Sequence, residues 1–338
     1  MNASSTSIPI VQVAFSAVDS AATLNWYQEV FGFIPSGENL VAGGPEVAAM
    51  TGLPDFDADI FWLNDTSDWF QLEFFSFRRP TPKAAPRTPH ALGWNLVGIE
   101  VADLDAVLER LRGRGAHVGE VIGSAPARRV CTVDPEGAWI ELRERDDDGP
   151  WRSAAVREVP ATVVFARAVV SDLDLFRSFF ERALGLEDTG RTLHTAEDER
   201  LWGAEPTSSR SSVLTADAAA FGMCIELVEY DSFTPQALGD DYLVSDQWLL
   251  NVAFGSRDPE RYEQVVRQLE DGRDAAYPAR LRTRPWPLLR RAAGPEPGDA
   301  HHRRSGRGTG VRIPPRGRAV SVRESLPVHC SRERTRHE

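Results

Sequence analysis

Residues 96–115 read LVGIEVADLDAVLERLRGRG, and this stretch decides the fold because its period changes in the middle. Ahead of Asp103 the residues run as an apolar strand. After it, Leu104, Val107, Leu108 and Leu111 recur at helical spacing. Asp103 stands where its carboxylate can accept the free N–H groups of a first helical turn, and Gly113 stands where the helix should stop. Strand, Asp, amphipathic helix and Gly therefore form one unit.

The unit occurs four times. The other copies are VQVAFSAVDSAATLNWYQEVFGF (11–33), VVFARAVVSDLDLFRSFFERALGL (163–186) and LNVAFGSRDPERYEQVVRQLEDG (250–272). Their capping aspartates are Asp19, Asp172 and Asp258, and their stop glycines Gly32, Gly185 and Gly272. The aspartates are spaced about 84, 69 and 86 residues apart, a long–short–long alternation. Three modules also end alike, on strands with a central Glu: WFQLEFFSF (69–77), AWIELRERD (138–146) and GMCIELVEY (222–230). The second follows Asp134-Pro135-Glu136-Gly137, a tight turn feeding a hairpin strand.

Composition narrows the function classes. The 338 residues leave room for two ordinary domains, and 42% hydrophobic with 26% charged is the balance of a soluble globular chain. No apolar run reaches the roughly 18 residues of a membrane helix. The first residues, MNASSTSIPIVQ, lack the basic start of a signal peptide. Cys131, Cys224 and Cys330 are odd in number and far apart, which reads as reduced thiols and a cytoplasmic location. The formal net charge is -12. From Arg280 onward 15 Arg face 5 acidic residues, so the tail is near +10 and the body near -22. An acidic body argues against nucleic acid as the main partner.

A strand, an Asp-started helix ending in Gly-Phe or Gly-Leu, and a final D-P-x-G-x-x-I-E-L strand resemble the vicinal oxygen chelate superfamily. This superfamily holds glyoxalase I, methylmalonyl-CoA epimerase, extradiol dioxygenases, and fosfomycin- and bleomycin-resistance proteins. The resemblance covers roughly residues 8–275. It implies an α+β fold of tandem βαβββ modules paired into curved mixed-sheet half-barrels. Modules one and two would close as a first domain over 8–146, with Glu73 and Glu141 facing one cavity. Module three and a truncated fourth would form a second domain over 160–280.

Metal-using members offer a His or Gln from the first strand and a Glu from the last. In this chain the first-strand register lands on Gln12, Leu96, Phe165 and Asn251, and the last-strand Glu positions are Glu73, Glu141 and Glu226. The resemblance thus implies a divalent-metal site of Gln12, Glu73 and Glu141, suited to Mg, Mn or, less well, Zn. Glu73 and Glu141 would be the catalytic carboxylates of a glyoxalase- or epimerase-like lyase or isomerase acting on vicinal oxygens. Leu96 at a ligand position favours the alternative, a metal-free cavity that binds or sequesters an antibiotic or natural product. Alternation on the last strand sets Gln71, Glu73 and Phe75 on the cavity face and Leu72 and Phe74 on the other. Trp62 and Trp139 complete the expected pocket. Phe56, Phe61, Trp69, Phe70 and Met50 read first as core, and as the sharper alternative some of them wall the pocket of an apolar or aromatic ligand, as Trp202 and Phe221 could in module three. No histidine falls on a ligand position, and a ferrous dioxygenase needs two with a carboxylate. Ring cleavage is disfavoured, with His90 the nearest histidine to a first strand. The partner is a small molecule, and a homodimer is compatible with the reading.

Module four starts well, but ARLRTRPWPLLRRAAGPEPGDAHHRRSGRGTG follows in place of strands. Residues 281–338 are expected to be an unstructured Arg-rich tail. With Lys83 the only lysine, the gene is GC-rich, and reading it out of frame near residue 280 would generate such a sequence. The rival is a basic arm binding nucleic acid or an acidic partner.

Overall fold

The computed structural model describes residues 8–37, 39–45, 47–48, 52–53, 55–65, 70–83, 88–146, 159–216, 223–237, 242–243, 245–246, 249–256, 258–271 and 318–321. Module one runs β1 (Ile10–Ser16), α1 (Ser20–Phe31), β2 (Ile34–Pro35), β3 (Leu40–Gly43), β4 (Asp57–Asn64) and β5 (Gln71–Arg79). Module two is β6 (Gly93–Val101), α2 (Leu104–Gly113), β7 (Arg129–Val133) and β8 (Trp139–Glu144). Module three is β9 (Ala161–Val169), α3 (Leu173–Leu184), β10 (Glu187–Asp188), a 3-10 helix (Ala196–Trp202), β11 (Ser209–Thr215) and β12 (Cys224–Tyr230). Module four holds β13 (Leu249–Ser256) and α4 (Pro259–Asp271), and β14 (Arg318–Ser321) follows far downstream.

The helices start where the aspartates stand. The Asp19, Asp103 and Asp172 side chains accept from the N–H of Ala22, Ala106 and Leu175, each three residues on, while Asp258 accepts from the N–H of Glu260. Gly32 and Gly185 end α1 and α3 in the left-handed conformation, φ 79° and 68°, which glycine adopts without strain. In α2 the turn comes later: Gly113 is its last residue and Gly115 takes the positive φ. Gly272 lies outside the described residues.

The strands form two seven-stranded sheets. The first has the order β14-β13-β1-β5-β4-β2, with β3 also on β4, and the second the order β10-β11-β12-β9-β6-β8-β7. Within a module the first and last strands are parallel, as β1 with β5, β6 with β8 and β9 with β12. Between modules the first strands pair antiparallel, β1 with β13 and β6 with β9. This differs from the expected pairing: module one shares its sheet with module four, and module two with module three. The alternating patterns that define strands do not encode which first-strand edges meet, so the sequence was silent on this choice.

Each sheet turns one face to a common core. Val13, Phe15, Leu72, Phe74, Val97, Ile99, Ile140, Leu142, Ala166, Ile225 and Phe254 belong to one cluster with residues from all four helices. The other faces carry separate clusters: Ala14, Ile60, Phe75 and Phe77 on the first sheet, and Leu96, Cys131, Phe165 and Trp202 on the second. Gly98 allows the second cluster to form, because a Cβ there would stand 1.8 Å from the Phe165 ring, which lies across the strand.

The expectation of an unpaired tail fails for four residues. Arg318–Ser321 forms β14, antiparallel to β13 with Ala253 opposite Ser321. The rest of 281–338 lies outside the described residues.

Candidate functional site

Parallel pairing of β1 with β5 sets Gln12 opposite Gln71 and Ala14 opposite Glu73, and β4 brings Trp62 opposite Glu73. All lie on the face turned from the common core. Glu73 is buried. Its Oε2 accepts a short hydrogen bond from Gln12 Nε2, and its Oε1 accepts from Trp62 Nε1 at 3.0 Å. Gln71 Nε2 donates to Gln12 Oε1 at 2.8 Å, extending the chain. Phe75, Ile60 and Ala14 supply apolar surface beside it. Asn251 of β13 stands opposite Ala14 and is buried, and Ser16 Oγ donates to the Ser245 carbonyl at 2.6 Å. Burial pushes the Glu73 carboxyl up to about 8, against the opposing hydrogen bond from Trp62. The face thus presents a carboxyl, two amides and an indole N–H within apolar walls, a set that recognises hydrogen-bonding groups.

The second sheet carries a different assembly. Glu141 of β8 and Glu226 of β12 both reach His194, in the loop before the 3-10 helix. His194 Nε2 lies 2.5 Å from Glu141 Oε2 and its Nδ1 lies 2.6 Å from Glu226 Oε2. Arg143, two residues along β8 and hence on the same face, donates from Nε to Glu141 Oε1 at 2.6 Å. Arg167 Nε is 3.4 Å from Glu226 Oε2, and Arg129 Nη1 is 3.8 Å from Glu141 Oε1. Both glutamates are fully buried. Burial works to raise the Glu141 pKa, but Arg143, then His194 and Arg129, hold it well below the usual range. Burial likewise works to lower that of His194, and the two carboxylates outweigh it, so the pKa is raised. The imidazole is therefore an imidazolium that donates from both nitrogens.

The residues grouped in the sequence are parted. Gln12, Glu73, Trp62, Gln71 and Phe75 share the first sheet, while Glu141 and Trp139 lie on the second, where Trp139 pairs with Leu96 and packs near Phe165. Glu73 alternates with Leu72 and Phe74, and Glu141 with Ile140 and Leu142. Each glutamate thus turns away from the common core onto its own sheet's other face, and they do not meet in one cavity. Phe56 joins the cluster beside Glu73, while Phe61 and Phe70 pack on the common core. Trp202 packs against His194, ring centroids 5.5 Å apart. Met50, Trp69 and Phe221 lie outside the described residues. Sequence reasoning missed His194, Arg143 and Arg167. The available signal was period two: Arg143 follows Glu141, and Arg167 follows Phe165, by two residues on one face.

Neither donor set fits a divalent metal. On the first sheet one carboxylate stands with amides, the Gln12 oxygen is taken by Gln71, and a hard divalent cation calls for several free oxygen donors. On the second, two carboxylates and an imidazole are suitable types, but both imidazole nitrogens carry hydrogens toward the carboxylates, and arginines already balance the charge. Among the described residues no group of three His, Cys, Asp or Glu is arranged to hold a metal ion.

Comparison with known proteins bears on the fold. Residues 10–142 match the family model of the Glyoxalase/Bleomycin resistance protein/Dioxygenase superfamily. Glyoxalase I from Zea mays is similar over 78% of this chain and 80% of its own, at 17% identity and a TM-score of 0.51. A point mutant of that enzyme gives a TM-score of 0.53 over the same shares and at the same identity. A putative dioxygenase from Bacillus subtilis subsp. subtilis str. 168 is similar over 80% of this chain and 79% of its own, at 15% identity and a TM-score of 0.50. At such identities the likeness is one of fold. No curated protein matches the chain. Among the described residues no helix is long and apolar enough to cross a membrane.

Proposed function

We propose that the chain, whose residues 10–142 match the family model of the Glyoxalase/Bleomycin resistance protein/Dioxygenase superfamily, binds a small organic molecule without a metal, on the Gln12–Glu73 face of the first sheet. One observation carries this reading. The carboxyl at the centre of that constellation is buried, is pushed up to about 8, and is engaged by Gln12 and Trp62. Such a group recognises a neutral, hydrogen-bonding ligand better than it holds a cation. Gln71 and Gln12 would orient the ligand's polar edge, and Phe75 and Ile60 its apolar part. Thermal-shift and calorimetric screening of aromatic natural products and antibiotics, on protein dialysed against chelator, tests it. The expected result is saturable binding that survives chelation and is lost in Glu73→Gln. Binding that appears only when Mn²⁺ or Zn²⁺ is restored overturns it.

A second reading, a lyase or isomerase of the glyoxalase or epimerase type, draws on the same carboxyl. An acid tuned to about 8 is near the ideal for passing a proton to and from carbon at neutral pH. Glu73 would then be the base, alone, because Glu141 is on the other sheet. That reading calls for solvent deuterium exchange into an α-hydroxy carbonyl substrate, abolished by Glu73→Gln.

A further inference from the structure

A third constellation lies where β6 begins and β12 ends, joined to the His194 assembly through Arg167 and Trp202. His90, in the loop before β6, places Nε2 2.6 Å from Glu199 Oε2 on the 3-10 helix. Glu199 is buried, and its oxygens also accept from Trp202 Nε1 at 2.7 Å and Tyr230 OH at 2.8 Å. Burial works to raise its pKa, but the hydrogen bonds of His90, Tyr230 and Trp202 hold it below the usual range.

We propose that His90 and Glu199 form a metal-free proton-accepting site for a planar ligand bearing an acidic hydroxyl, a phenol or an enol. The argument begins with the tautomer. The Trp202 indole N–H lies 3.2 Å from His90 Nε2 but 2.7 Å from Glu199 Oε2, so it is directed at the carboxylate. That ionised carboxylate has no hydrogen to give, so across the 2.6 Å contact the hydrogen sits on His90 Nε2. In the neutral ring Nδ1 then carries the lone pair. Among the described residues Nδ1 has no hydrogen-bond partner, and the side chain is 22% exposed. A base oriented by a buried carboxylate, with its second nitrogen open, is the arrangement that readies an imidazole for proton transfer.

The loop is held rigidly enough for the task. Fully buried Arg167 donates from Nη1 to the Pro89 carbonyl at 2.6 Å and to Asn95 Oδ1 at 3.1 Å, and from Nη2 to Tyr230 OH at 2.6 Å. A turn closes with the Ala91 N–H on the Thr88 carbonyl at 3.0 Å. The surroundings select the ligand. The His90 ring meets Tyr230 and Phe233 edge-on, at centroid distances of 5.1 and 5.4 Å. Phe233 is 38% exposed, giving a planar apolar group a ring to lie against. An aliphatic alcohol holds its proton too tightly for an imidazole, whereas a conjugated hydroxyl releases it. In the step, the ligand O–H bond breaks and its proton forms a bond to Nδ1. The imidazolium keeps its Nε2 hydrogen on Glu199, and the anionic oxygen remains beside it.

Titrating the full-length protein with para-nitrophenol, in buffer below that phenol's own pKa, tests this directly. The expected result is a saturable rise in nitrophenolate absorbance, lost in His90→Phe and about tenfold weaker in Glu199→Gln, as befits a hydrogen bond to a charged group. Because Glu199 is buried, a second measurement uses the unsubstituted protein. Imidazole nitrogen shifts of the labelled chain should show His90 as the Nε2–H tautomer. No rise, a rise that survives His90→Phe, or an Nδ1–H tautomer overturns the proposal. Loss of the signal in Glu73→Gln, with His90→Phe unaffected, assigns the probe to the first sheet and overturns it as well.

Discussion

His194 Nε2 lies 2.5 Å from Glu141 Oε2, both groups sealed from solvent. With Glu226 on the opposite nitrogen, one imidazolium stands between the last-strand carboxylates of two modules. A charge in such a place is tolerated only with its partners. His194→Ala leaves two buried carboxylates short of a cation and should cost about 3–5 kcal/mol. Adding Glu226→Gln to that variant should recover part of the loss, since it removes one uncompensated charge. Urea denaturation of the single and double variants measures this. Additive losses would show that the pair is not coupled.

Much of this fold was legible because its signals are local. Asp19, Asp103 and Asp172 cap helices through their own side chains, and Gly32 and Gly185 end them, each within one turn of chain. The alternation of Leu72, Glu73, Phe74 and Phe75 between two faces is equally local. The relation between Glu73 and Glu141 was not, because it depends on which first strands pair. That choice is made by edges and core packing between strands far apart in the chain. His194 and His90 were hidden for another reason. Each acts from a loop, where no period announces which way a side chain turns.

Stability should depend on pH through Glu73. A carboxyl whose folded pKa is raised keeps its proton in the folded state while the unfolded chain has already lost it. Its contribution is therefore full below the unfolded value of 4.5, falls as pH rises, and levels off above about 8. The loss across that window is on the order of 5 kcal/mol. Glu73→Gln should flatten this part of the profile. Denaturation midpoints followed from about pH 5 to about pH 9 decide it. A wild-type slope that persists in the variant would assign the dependence to another group.

The strand pairing predicts how a fragment behaves. Residues 8–146 contain modules one and two but lack β13 and β9, the partners of β1 and β6. The isolated fragment would expose two first-strand edges, and such edges recruit other chains. It should therefore self-associate or fail to unfold cooperatively, while residues 8–280 remain better behaved. Light scattering on both fragments tests this. A monomeric 8–146 with a sharp thermal transition would mean that modules one and two are sufficient to each other.

The last prediction concerns the end of module four. In the other three modules the first strand pairs in parallel with the last, and that last strand carries the central Glu73, Glu141 or Glu226. β13 instead meets β14 antiparallel, across an intervening Arg-, Pro- and Gly-rich sequence whose charge is opposite to that of the body. A strand of opposite direction cannot stand in for the missing one, because its side chains approach the sheet with the reverse order along the edge. The first sheet therefore has Gln12, Glu73 and Asn251 but no counterpart of Glu226 from module four among the described residues. A change of reading frame near codon 280 accounts for both the composition and the lost strand. The nucleotide sequence there, shifted by one or two positions, is expected to encode a D-P-x-G-like turn and a strand with a central Glu. A chain built in that frame should pair the new strand in parallel with β13 and bring a second carboxyl toward Glu73, which would give the first face the acidic donors that a divalent metal needs. If neither alternative frame encodes such a strand, the Arg-rich segment is a native extension, and its affinity for acidic partners becomes the property to measure.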